Sequence, residues 1–91
     1  MIEPKTIRRH AEAYVRHIMM QIEEKRRLRE QEDPSITKEY LAKRMGVSLA
    51  MYEAYCSGED PDVEMVPIFR ALDLLECDAH DFFKECEAAY Q

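Results

Sequence analysis

The sequence is short of the residues that tight turns and catalytic loops need. Its 91 residues include two glycines, Gly46 and Gly58, and no tryptophan. So little glycine excludes hairpin-rich β folds and the glycine-rich loops that cradle phosphate. No uninterrupted apolar run approaches 18 residues, so no segment reads as a bilayer span, and no membrane association is expected. Met1-Ile2-Glu3-Pro4-Lys5 leads into charged sequence without the apolar stretch of a secretory signal. Cys56, Cys77 and Cys86 are odd in number and form no CxxC pair. They are expected to be reduced thiols in a cytoplasmic protein that folds without disulfide or metal. GxSxG, HExxH and P-loop motifs are missing, so the chain is expected to be no enzyme and to need no cofactor.

What is present points to one small helical domain. Hydrophobic residues make up 46% and charged residues 35%, too apolar for disorder and too charged for a membrane protein. At this length a modest core forms, but a two-layer enzyme with a deep cleft does not. Charge is unevenly spread. Residues 1–44 carry 11 basic and 8 acidic side chains, and residues 45–91 carry 2 and 11, for a net −6. Such an acidic chain is a poor general coater of nucleic acid, because phosphate neutralisation drives non-specific binding. A local basic patch can still meet DNA.

Apolar residues at steps of three and four define the helices. Ile7, Ala11, Tyr14, Val15, Ile18 and Ile22 mark a first helix over about residues 5–31, either continuous and about 40 Å long or broken near 23–25. Asp33-Pro34-Ser35 ends it. Thr37 is the expected N-cap of a second helix closed by Gly46, and Ser48 that of a third closed by Gly58. Asp62 is the expected cap of a fourth, with Pro67 in its first turn, and Asp78 caps a fifth. Tyr52 and Tyr55 fall on the inward face of the third helix.

The segment Thr37-Lys38-Glu39-Tyr40-Leu41-Ala42-Lys43-Arg44-Met45-Gly46-Val47-Ser48 resembles the T-x-x-x-L-A-x-x-x-G-V-S run of the lambda-repressor-like (Xre/Cro-type) helix-turn-helix family. Leu75-Glu76-Cys77-Asp78-Ala79-His80-Asp81-Phe82-Phe83 is similar to that family's closing L-G-V-S-x-x-E-L-L element. The likeness covers about residues 36–83. It implies an all-α, five-helix lambda-repressor-like domain, placed at residues 18–91; the helical extension over residues 1–17 is read from the apolar periodicity and is not covered by the likeness. It also implies sequence-specific binding of double-stranded DNA by a homodimer, with the helix at residues 48–57 in the major groove. The residues carried over as DNA-binding are Lys38, Ser48, Leu49, Ala50, Glu53 and Ala54. Here the sequence departs from the family, which usually places Gln, Arg, Asn, Ser or Thr at several of the outward positions. Leu49, Ala50, Glu53 and Ala54 donate no side-chain hydrogen bond to a base edge. The following Glu59-Asp60 would repel phosphates.

Two further features have competing readings. The run Lys25-Arg26-Arg27-Leu28-Arg29 is either a solvated helix face paired with Glu23, Glu24, Glu30 and Glu32, or a phosphate-contacting patch. His10 and His17 share a helical face, and Cys77 and His80 have metal-ligand spacing, but both pairs lack further ligands. The apolar stripe of the first helix predicts self-association. The alternative to a DNA-binding regulator is a helix-turn-helix fold repurposed as a protein-interaction module. A continuous exposed apolar patch including Met51 would favour that alternative.

Overall fold

The computed structural model describes the backbone of residues 4–90 and the side chains of residues 11–89. Five helices follow one another: α1 (Pro4–Glu32), α2 (Lys38–Met45), α3 (Leu49–Ser57), α4 (Met65–Leu74) and α5 (Ala79–Tyr90). There is no strand among the described residues. The expected all-α, five-helix organisation is what the chain adopts.

Helix α1 is continuous, so the alternative of a break near residues 23–25 is not realised. Twenty-nine residues at 1.5 Å each give about 43 Å. The longest dimension of the chain is 48 Å, and its radius of gyration is 13.5 Å. A compact domain of this length has about 12 Å. The excess is the overhang of α1. Its first buried described side chain is Ile18. Ala11 and Ala13 are exposed, while Tyr14 packs partly on the core. Ile18 and Ile22 of the apolar stripe are therefore buried within the chain itself. Ile7, and the His10 of the histidine pair, lie outside the described side chains.

The caps form largely as the sequence predicts. Thr37 Oγ1 accepts from the Tyr40 N–H at 3.1 Å, and Ser48 Oγ accepts from the Met51 N–H at 3.0 Å. Asp78 Oδ1 accepts from the Asp81 N–H at 3.0 Å. The cap of α4 differs. Glu64 takes the N-cap position and makes no side-chain cap bond, while Asp62 donates its own N–H to Asp60 Oδ1 within the loop. Proline at the third residue of α4 removes one N–H that would otherwise need a cap, so a weak cap suffices there.

Helix α2 ends in a left-handed turn at Gly46, φ +83°, with Gly46 N–H bonded to Lys43 O and Val47 N–H to Ala42 O. Helix α4 ends in the same pattern, with Glu76 N–H on Asp73 O and Cys77 N–H on Leu72 O. There the left-handed residue is Glu76, φ +56°, the single non-glycine with positive φ among the described residues. Glycine is the usual choice because it has no Cβ to collide with the turn.

The core joins all five elements. Met19 and Ile22 come from α1, Leu41, Ala42 and Met45 from α2, and Tyr52 and Tyr55 from α3. Ile68, Ala71 and Leu72 of α4, Leu75 just after it, and Phe82 and Cys86 of α5 complete it. Helix α2 packs on α3 and α4, and α1 packs on α3 and α5. Ala42 and Ala71 are both fully buried, and their small side chains let α2 and α4 approach closely.

Candidate functional site

The three-residue turn Gly46-Val47-Ser48 sets the angle between α2 and α3, and a buried polar network fixes α3 against α1. The Tyr52 hydroxyl, with no solvent exposure, donates to Glu23 Oε1 at 2.7 Å. Arg26 donates to both oxygens of Glu23, at 2.7 and 3.0 Å, to Glu30 at 2.9 Å and to the carbonyl of Ile36 at 2.8 Å. One guanidinium thereby ties α1, the segment before α2 and, through Glu23, α3. Burial pushes the Glu23 carboxyl up, but the hydrogen bonds from Arg26 and Tyr52 outweigh it and hold it below the ordinary carboxylate range. Burial is the main reason that the Tyr52 phenol is raised, with Cys56 and Glu23 adding to it. The bond to Glu23 holds the charge on Arg26.

This network corrects the solvated reading of the basic run in α1. Arg26 is 4% exposed rather than a surface residue. Lys25 lies 3.5 Å from Glu85, and Arg27 lies 3.8 Å from Glu24. Arg29 donates to the carbonyl of Leu75 at 2.7 Å and to Glu76 at 3.2 Å. The ion pairs expected with Glu23, Glu24 and Glu30 form. Lys25, Arg26 and Arg29 tie α1 to its neighbours, Arg27 pairs on the solvated face of α1 itself, and all four cations have carboxylate partners.

With Tyr52 and Tyr55 inward, α3 turns Ala50, Met51, Glu53 and Ser57 to solvent, and Leu49 and Ala54 are half-buried. Ser48 is exposed at the start of the helix, its Oγ lone pair used by the cap and its hydroxyl hydrogen free to donate. Lys38 is exposed at the first turn of α2. It shares a cleft with Glu23, Tyr52, Glu53, Cys56 and Ser57, so carboxylates flank its ammonium. Of the six residues singled out in the sequence, Lys38 and Glu53 line this cleft and Ser48 lines a second groove, while Leu49, Ala50 and Ala54 line neither.

That groove runs between the α2–α3 turn and the start of α4. Val47, Ser48, Met51, Val66, Pro67 and Arg70 are among its walls. Met51 is 38% exposed and Val66 58%. On α4, Met65 and Phe69 are also about half exposed, and Phe69 meets Phe83 edge-on at 6.2 Å. Helix α4 packs on α2 and buries Pro67, Ile68, Ala71 and Leu72, which leaves Met65 and Phe69 outside its buried face.

The ends of α3 differ in charge. Glu59, Asp60 and Asp62 follow its C-terminus, while Glu64 lines the Ser48–Met51 groove. Near its N-terminus, Lys43, Arg44 and Arg70 line a neighbouring cleft with Asp73 and Leu74. Arg70 borders both this cleft and the Met51–Val66 groove. Sequence reasoning missed this grouping, because Arg70 lies 26 residues from Arg44. The only sequence signal was that Lys43 and Arg44 are adjacent.

Among the described residues no three His, Cys, Asp or Glu side chains converge as a metal site requires, and no helix is long and apolar enough to cross a membrane. No family model matches the chain, and no curated protein or solved structure shows significant similarity to it.

Proposed function

We propose that this chain is a DNA-binding transcriptional regulator of the lambda-repressor-like helix-turn-helix type, placing the N-terminal end of α3 in the major groove. The observation that carries the reading is the α2–turn–α3 unit. Both helices are capped by Thr37 and Ser48, the turn is closed by left-handed Gly46, and Tyr52 locks α3 through Glu23 with its outer face open. Small outward side chains at Ala50 and Ala54 let a helix sit close to the groove floor. Because Leu49, Ala50, Glu53 and Ala54 offer no side-chain donor, the Tyr52 hydroxyl is turned inward onto Glu23 and only Ser48 beside them can donate, direct hydrogen-bond readout is weak. Each missing bidentate contact forgoes about 1–3 kcal/mol of discrimination. Preference then rests on thymine methyls near Leu49 and Ala50, on acceptance from cytosine by Glu53, and on duplex shape. A homodimer formed with the overhanging α1 would set two such helices about 34 Å apart.

A second reading, a protein-interaction module, has its own support in the exposed Met51, Val66 and Phe69. One experiment separates the two. The full chain is put through selection on random duplex DNA, followed by fluorescence anisotropy at low and moderate salt, with its mass measured by light scattering. Enrichment of a duplex that is bound at least ten-fold more tightly than a scrambled one supports the regulator. Absence of affinity for any duplex at low salt sinks it and leaves the protein-interaction reading.

A further inference from the structure

Of the ten described Lys and Arg side chains, four are paired with carboxylates: Lys25, Arg26, Arg27 and Arg29. Arg16 folds its Cδ over Gly58, Lys84 stands alone on α5, and Lys38 sits among carboxylates. The remaining three, Lys43, Arg44 and Arg70, are exposed, form no ion pair within 4 Å and line one cleft. Asp73 is the single carboxylate among its walls, so the cleft carries an excess of two positive charges. Arg70 is held in place. Its Nη1 donates to the carbonyl of Met45 at 3.4 Å, and it occupies the space where a Cβ at residue 46 would lie, 2.7 Å from that position. Gly46 therefore serves twice, allowing the left-handed turn and leaving room for the guanidinium. One sign of charge concentrated in a cleft with low-dielectric walls attracts anions of the opposite sign.

We propose that Lys43, Arg44 and Arg70 form a phosphate clamp that grips a DNA backbone strand beside the N-terminal end of α3. The proposal rests on the DNA-binding reading and deepens it by saying which charges supply affinity and which end of α3 approaches. Arg70 lines the Ser48–Met51 groove at the N-terminal end together with one carboxylate, Glu64, and it joins Lys43 and Arg44 in the neighbouring cleft, whereas Glu59, Asp60 and Asp62 follow the C-terminal end. A polyanion is therefore drawn to the first end and repelled from the second. The α1 basic run, being internally paired, contributes little.

The test uses the full chain and a labelled duplex from the selection, with affinity measured across a salt series from 50 to 200 mM. Each phosphate contact contributes about 0.9 to the slope of log affinity against log salt for B-DNA. The triple variant Lys43→Gln, Arg44→Gln, Arg70→Gln is expected to lose about 2–3 from that slope, and to weaken selected and scrambled duplexes alike. Arg70→Lys keeps the charge and is expected to keep the slope. Lys84→Gln on α5 is expected to match the parent. Circular dichroism melting checks that every variant folds, and the double variant Lys43→Gln, Arg44→Gln substitutes if loss of Arg70 unfolds the turn, with an expected slope loss of about 2. A parent slope retained in the folded triple or double variant overturns the clamp while the DNA reading stands. A parent chain that binds no duplex overturns both.

Discussion

Replacing Arg26 with methionine should destabilise this domain more than any surface change, although the residue sits in the most charged stretch of the sequence. Methionine keeps an unbranched stem of similar length, so the substitution removes charge and hydrogen bonds with little change in packing. Four donor contacts disappear, two of them to Glu23, one to Glu30 and one to the Ile36 carbonyl. Breaking a buried ion pair by removing one partner costs about 3–5 kcal/mol. The Glu23 side chain is 18% exposed and keeps the Tyr52 hydroxyl, so the lower figure applies. A 91-residue domain has a total stability of about 5–14 kcal/mol. A loss of about 3 kcal/mol lowers the melting temperature by roughly 10–25 °C at this size. Tyr52→Phe removes one hydrogen bond to a charged acceptor and should cost about 1.5 kcal/mol. Urea denaturation of both variants gives the numbers. The pair Glu23→Gln, Arg26→Met should lose less than the sum of its singles, because neither partner is left with an uncompensated charge. An Arg26→Met variant within 0.5 kcal/mol of the parent would refute the view that this network holds α3 on α1.

Two further tests address single residues. The Glu23 carboxyl lies below its ordinary value of 4.5, so its contribution to stability is complete above that pH and is lost as the pH falls through the depressed value. Urea unfolding from pH 7 to 2.5 should show Glu23→Gln to be less stable than the parent at neutral pH and flatter on the acid side; parallel curves would contradict the network. At Glu76, φ +56°, glycine should be more stable than alanine by about 1 kcal/mol, since both lose the Arg29 contact and only alanine keeps the strained Cβ. Thermal melts of Glu76→Gly and Glu76→Ala measure this, and equal melting temperatures would mean that the turn carries no strain.

Local chemistry in the sequence determined most of the element boundaries. Thr37, Ser48 and Asp78 cap their helices because a short side-chain oxygen next to an unsatisfied N–H has few alternatives. Gly46 and Gly58 stop α2 and α3 because left-handed backbone favours glycine. The inward placement of Tyr52 and Tyr55 follows from helical periodicity alone. Asp62 is not the cap because α4 begins only at Met65, which puts Glu64 at the cap position and Asp62 in the preceding loop. Only the tertiary structure decided the fate of the charges. Lys25, Arg26 and Arg29 stand in one run with nearly uniform character, yet Arg26 is buried because Glu23, Glu30, the Ile36 carbonyl and Tyr52 converge there from three parts of the chain. Glu76 takes a glycine's conformation at a turn closed on the Asp73 and Leu72 carbonyls and held from α1 by Arg29 on the Leu75 carbonyl. Arg70 reaches Lys43 and Arg44 because α4 crosses α2 at Gly46. A sequence shows each charge with its chain neighbours, whereas the free energy of a charge depends on neighbours in space and on how much water the fold leaves around it.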